Sequence, residues 1–211
     1  INDKWVQIAA LSAPSSQTTS LLKMVLEKFR ENDPAYASLV ERLTAMTGAG
    51  SATESIHLLI QKATAVHARE VAWQAPVLEG LVRGMENRKS PFPVSEPDQR
   101  LLVKTFFESH SEPLRRASLQ MLSVNGISGE SLKAASVAKA VLIIKDSALP
   151  EGRRAEAIDF LTLGDPSAQV SMLEKLLVPQ EQPAVQLAVL RTLNQVPSNN
   201  VSDYLIRQWP V

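Results

Sequence analysis

The chain has 211 residues, 45% of them apolar and 21% charged, an ordinary globular composition rather than a disordered one. Its 22 basic and 22 acidic side chains cancel, which argues against a nucleic-acid binder, since such proteins draw their non-specific affinity from excess Lys and Arg. The absence of cysteine excludes disulfides, thiolate metal sites, a Cys nucleophile and C-x-x-C-H haem attachment, and no stretch approaches the roughly 18–20 apolar residues that span a bilayer.

The chain opens without a charged, then apolar, leader, and its first residue is Ile1, so it reads as a processed or excised piece of a longer protein. In DKWVQIAALSA, Asp3 caps an expected helix carrying Trp5, Ile8 and Leu11. The Ser-rich SAPSSQTTS (12–20) reads as a turn with a cap. DPAYASLVERLTAM (33–46) begins on an Asp-Pro start signal, and Gly48 and Gly50 are expected to end it. ATESIHLLIQKAT and REVAWQAPVLEGLVRGMENR follow as helices, with Pro76 marking a kink or the true first turn of the second. KSPFPVSEPD (89–98), with prolines at 91, 93 and 97, reads as an irregular loop between units.

SEPLRRASLQML (111–122) starts a helix with Leu119 and Leu122 facing inward, and a longer helix spans about 131 to 145. RRAEAIDFL, a Gly164-Asp165-Pro166 turn and SAQVSMLEKLL form the next pair. The terminal pair, on Val185, Val189, Leu193 and Val196 and then Val201, Leu205 and Trp209, repeats that layout. A slide of 32 positions places Ile158 on Leu190, Leu161 on Leu193, Leu173 on Leu205 and Leu177 on Trp209. Strand signals are weak throughout.

Two helices per roughly 32 to 40 residues is the signature of an α-solenoid, because one pair cannot bury its apolar face alone. The expected fold is all-α: a right-handed α-α superhelix of the HEAT or armadillo kind, about five to six helix pairs over 1–211 as one continuous domain. Alanines at inward positions (Ala9, Ala117, Ala155, Ala188) permit close helix approach. The tetratricopeptide and ankyrin frameworks are missing. Leu205, Ile206 and Trp209 are not the polar residues of a capping repeat, so the last helix is expected to carry an apolar flank.

WQAPVLEGLVRGM (73–85), RLTAMTGAGSATESIHLLIQKAT (42–64) and PAVQLAVLRTLNQVPSNNVSDYLIRQW (183–209) resemble the HEAT-repeat region of large bacterial membrane-bound dehydrogenases with Pirellula/Verrucomicrobium-type haem-binding domains. The resemblance runs from Trp5 to Trp209 and rests mainly on packing residues. In that family a β-propeller precedes the helical region and a cytochrome c-like domain follows it. The resemblance therefore implies a non-catalytic scaffold or spacer, with no cofactor in this chain, located outside the cytoplasm. Its partners would be proteins or neighbouring domains of the same polypeptide. The alternative it implies is a part of a redox enzyme that supports electron transfer or substrate docking without holding the cofactor. No catalytic or haem-ligating residue of the family maps onto this chain.

Candidate chemistry is sparse. His57, His67 and His110 belong to no H-E-x-x-H or similar ligand set and read as ordinary half-exposed histidines. Arg115-Arg116 and Arg153-Arg154 occupy matching places early in their helices. Stacked in register they form an interaction stripe for phosphates or acidic peptides; paired with Glu112, Glu151 and Glu156 they form a solvated face, and the pairing is the favoured reading. The carboxylates Glu27, Glu31, Asp33, Glu41, Glu54, Glu70 and Glu79 are scattered, and no glycine-rich phosphate loop is present. Trp5, Trp73 and Trp209 sit at apolar-face positions and read as packing residues rather than as a base-stacking set. Leu161→Asp and Leu193→Asp are each expected to unfold the adjacent helix pair by burying an unpaired charge; unchanged thermal melting of both variants would overturn the repeat register.

Overall fold

The computed structural model describes residues 15–50, 53–66, 71–88 and 92–196. Among them every regular element is helical and no strand is present. The expected helix over 3–11, His67, Glu70 and the terminal segment with Leu205, Ile206 and Trp209 lie outside the described residues.

The chain divides into two compact units, Ile1–Gly126 and Ile127–Val211. The first contains α1 (Ser15–Glu27), α2 (Pro34–Ala49), α3 (Thr53–Thr64), α4 (Gln74–Glu86), α5 (Glu96–Glu108) and α6 (Glu112–Asn125). The second contains α7 (Glu130–Lys145), α8 (Glu151–Phe160), two short 3-10 turns, α9 (Val170–Glu174) and α10 (Pro183–Leu193). The even-numbered helices begin at Pro34, Gln74, Glu112, Glu151 and Pro183, so their starts recur every 32 to 40 residues.

Local chemistry sets many of these starts. Asp33 accepts from the Ala35 N–H at 3.1 Å with Pro34 opening α2, and Ser111 accepts from the Leu114 N–H at 3.4 Å with Pro113 in the first turn of α6. Each side chain satisfies a helix N–H that has no carbonyl partner, while proline gives up an N–H the helix does not need there.

Within the first unit α4 is the central helix, packing on α2 on one side and α6 on the other, while α3 packs on α5. Leu43, Ile56, Ile60, Leu78, Leu81, Leu102, Phe106, Met121 and Leu122 are its large, fully buried side chains. In the second unit α8 packs on α7 and α10, around Ile144, Ile158 and Phe160. Leu161 and Leu193, the pair aligned by the 32-residue slide, are both buried, as are Ala117, Ala155 and Ala188.

The α2–α4 crossing is closer than ordinary side chains allow. A methyl group on Gly84 would lie 2.7 Å from Ala49 N, one on Gly48 2.6 Å from Leu81 O, and one on Gly80 2.9 Å from the Glu41 carbonyl carbon. All three obstacles are backbone, which cannot swing aside as a flexible side chain does.

Several expectations need correction. Ser15 to Ser20 belong to α1 rather than to a turn, because the apolar face of Leu22, Val25 and Leu26 extends back through buried Thr18. Gly48 does not end α2; it lies inside the helix against α4, and Gly50 alone caps it. Only 92–95 of the described part of the 89–98 stretch is irregular: Ser95 caps α5, and Glu96 to Asp98 are its first turn. Proline is harmless at that position, so the breaker signal hides a helix start. Pro76 needs no correction: it falls in the first turn of α4, one of the two places expected for it. The second helix expected over 167–177 is reduced to a 3-10 turn and the five residues of α9. Leu119, Leu177 and Leu190 are half-buried, not core residues.

Gly84→Ala is expected to lose about 1–3 kcal/mol of stability by overpacking. Gly152→Ala, on the exposed first turn of α8 where an added methyl meets nothing within 4 Å, should gain about 0.4–1 kcal/mol. Chemical denaturation of the two variants checks this pair, and equal midpoints would contradict the close crossing.

Candidate functional site

A part-buried polar cluster joins α3 to the start of α5. Ser95 and Asp98 stand three residues apart, the spacing of a capping box. The Asp98 N–H donates to Ser95 Oγ at 3.3 Å, and the Ser95 hydroxyl donates to Asp98 Oδ2 at 2.8 Å. The same oxygen accepts from His57 Nδ1, so a side chain of α3 reaches a carboxylate in the first turn of α5. Asp98 is 1% exposed, and its Oδ1 is buried with no hydrogen-bond partner. Such an orphaned acceptor costs about 1–3 kcal/mol.

Phe92 walls the cluster, its ring centroid 5.6 Å from that of His57. Arg88 stands over the Phe92 ring itself, 5.4 Å from its centroid, and its Nη1 donates to the carbonyls of Gly48 and Gly50 at the end of α2. The cation thus sits where the negative end of a helix dipole favours it. Chemically, a carboxylate that holds Nδ1–H leaves Nε2 of a neutral imidazole as a proton acceptor. What the geometry accomplishes directly is a tie between α2, α3 and α5.

A cleft of about 280 Å³ lies toward the C-terminal ends of α3 and α5, lined by Thr64, Gln74, Lys104, Thr105, His110 and Leu114. Gln74 is committed to structure: its Nε2 donates to Ala63 O at 2.8 Å and Ala65 O at 3.1 Å, and its Oε1 accepts from the Val71 N–H at 3.2 Å. Trp73 is buried just before α4, with the Lys62 ammonium 5.7 Å from its ring. Among the described residues there is no group of three or more His, Asp or Glu side chains able to hold a metal ion. Nor is any of their helices long and apolar enough to cross a membrane.

The four arginines proposed as an interaction stripe separate by role. Arg115 donates to the Ser109 and His110 carbonyls at 3.2 and 2.9 Å, and Arg116 forms an exposed pair with Glu112 at 3.5 Å. Arg153 meets Glu156 at 3.1 Å. Arg154 is not a surface cation at all: it is 5% exposed, donates through Nε to Ile144 O at 3.1 Å, and pairs bidentately with Glu181 at 2.8 Å through each Nη. A second bidentate pair, Arg191 with Asp159, joins α10 to α8, and Thr192 Oγ1 donates to Ile158 O beside it.

Asp98 and Glu181 were not among the residues singled out from the sequence. For Asp98 the Ser95-x-x-Asp98 spacing was the available signal, masked by three prolines. Glu181 lies in a loop 27 residues from its partner and carries no local signal. Compared with known proteins, the chain matches no family model, no curated protein and no solved structure.

Two carboxyls respond to pH in opposite senses. The hydrogen bond from Arg154 holds the Glu181 carboxyl below the usual glutamate range, against the opposing effect of burial. The unfolded chain therefore binds the proton more readily, and the pair's contribution, complete above the ordinary glutamate pKa, is lost as pH falls through the folded value. Glu79 is the reverse. Burial first, then repulsion from Glu41, raise its pKa against the lowering effect of Arg83. Here the folded state binds the proton more readily, so stability falls as pH rises from the ordinary value through the raised one. Glu181→Gln is expected to destabilise by about 3–5 kcal/mol at neutral pH, with the gap closing in acid. Glu79→Gln should melt above the parent at neutral pH and converge with it in acid. Thermal melts of both variants from about pH 3 to pH 7 check these signs, and pH-independent differences would contradict them.

Proposed function

We propose that the chain is a non-catalytic scaffold or protein-interaction module, built as a HEAT- or armadillo-like α-α superhelix. In the setting the family resemblance implies, it is a spacer between a β-propeller dehydrogenase-like domain and a cytochrome c-like domain, and its partners are those neighbouring domains. The observation that carries this reading is contact at the repeat spacing. Asp159 and Arg191, 32 residues apart, form a bidentate pair between successive even-numbered helices, and the α2–α4 and α4–α6 stacks repeat the arrangement in the first unit. In support, the groups best suited to chemistry, His57 with Asp98 and Arg154 with Glu181, are spent on joining helices and loops to one another.

A scaffold of this kind meets its partners through surface that is apolar and open in the isolated module. Leu58, Leu142 and Leu187 are 56%, 70% and 57% exposed. Hydroxyl-radical footprinting of the full reading frame against the 211-residue chain alone tests the proposal. At least one of these leucines is expected to lose labelling when the flanking sequence is present. Equal labelling of all three in both proteins would contradict a spacer that docks its neighbours.

A further inference from the structure

We draw no further inference here: the strongest candidate, the apolar face that α7 of the second unit presents along Ala135, Ala138 and the 70%-exposed Leu142, carries nothing because nothing in the structure shows what covers it.

Discussion

The backbone contact between α2 and α4 is the constraint on which the first unit depends. Glycine inside a helix costs about 1 kcal/mol relative to alanine, and this crossing uses Gly48, Gly80 and Gly84 within two helices. That local loss is offset by packing. With the three glycines bringing the backbones together, Leu43, Leu78 and Leu81 are fully buried and Val82 nearly so, and each buried aliphatic side chain contributes about 1.5–3 kcal/mol. Thr44 fits the same gap by turning its hydroxyl back to Val40 O at 2.8 Å, which satisfies the polar atom within its own helix. The position of α4 then sets where α3 and α6 pack.

Polar ties refine this arrangement and contribute less to its net energy. A largely buried ion pair such as Arg154–Glu181, with Arg154 buried and Glu181 partly exposed, must recover the desolvation of its charges, and apolar residues of similar volume often serve stability as well. What the pair supplies is position: the guanidinium is held by Ile144 O and by both oxygens of Glu181, so the end of α7, the start of α8 and the loop before α10 share one anchor. His57–Asp98 acts similarly between α3 and α5, and it does so while leaving Asp98 Oδ1 unsatisfied. The exposed pair Arg116–Glu112 is worth little by comparison, since solvent screens it.

Helical character and much of the core were legible because they rest on local signals. Period-3.6 spacing located Leu122, Ile158, Leu161 and Leu193, and the Asp-Pro opening marked the start of α2. Three of the failures share one cause: a residue type with a strong average tendency was overruled by its position. Pro97 suggested a breaker and sits in the first turn of α5; Gly48 suggested a terminus and lies at a helix crossing; Ser and Thr at 15 to 20 suggested a turn and extend α1. Arg154 could not be separated from Arg153 by sequence, because adjacent helical positions differ by about 100° and only the tertiary fold decides which one turns inward. The partner of a buried charge is equally non-local, which is why Glu181 went unseen.

The close crossing of α2 and α4 is tested most directly by proton–proton cross-relaxation in the folded chain. Strong cross-peaks are expected from the α-protons of Gly84 to the amide proton of Ala49, and from those of Gly48 to the α-proton of Leu81, since each glycine faces those backbone atoms with nothing between. Their absence from a chain whose α2 and α4 are otherwise shown to be helical would contradict the account, for it would mean that side chains rather than backbone separate the two helices.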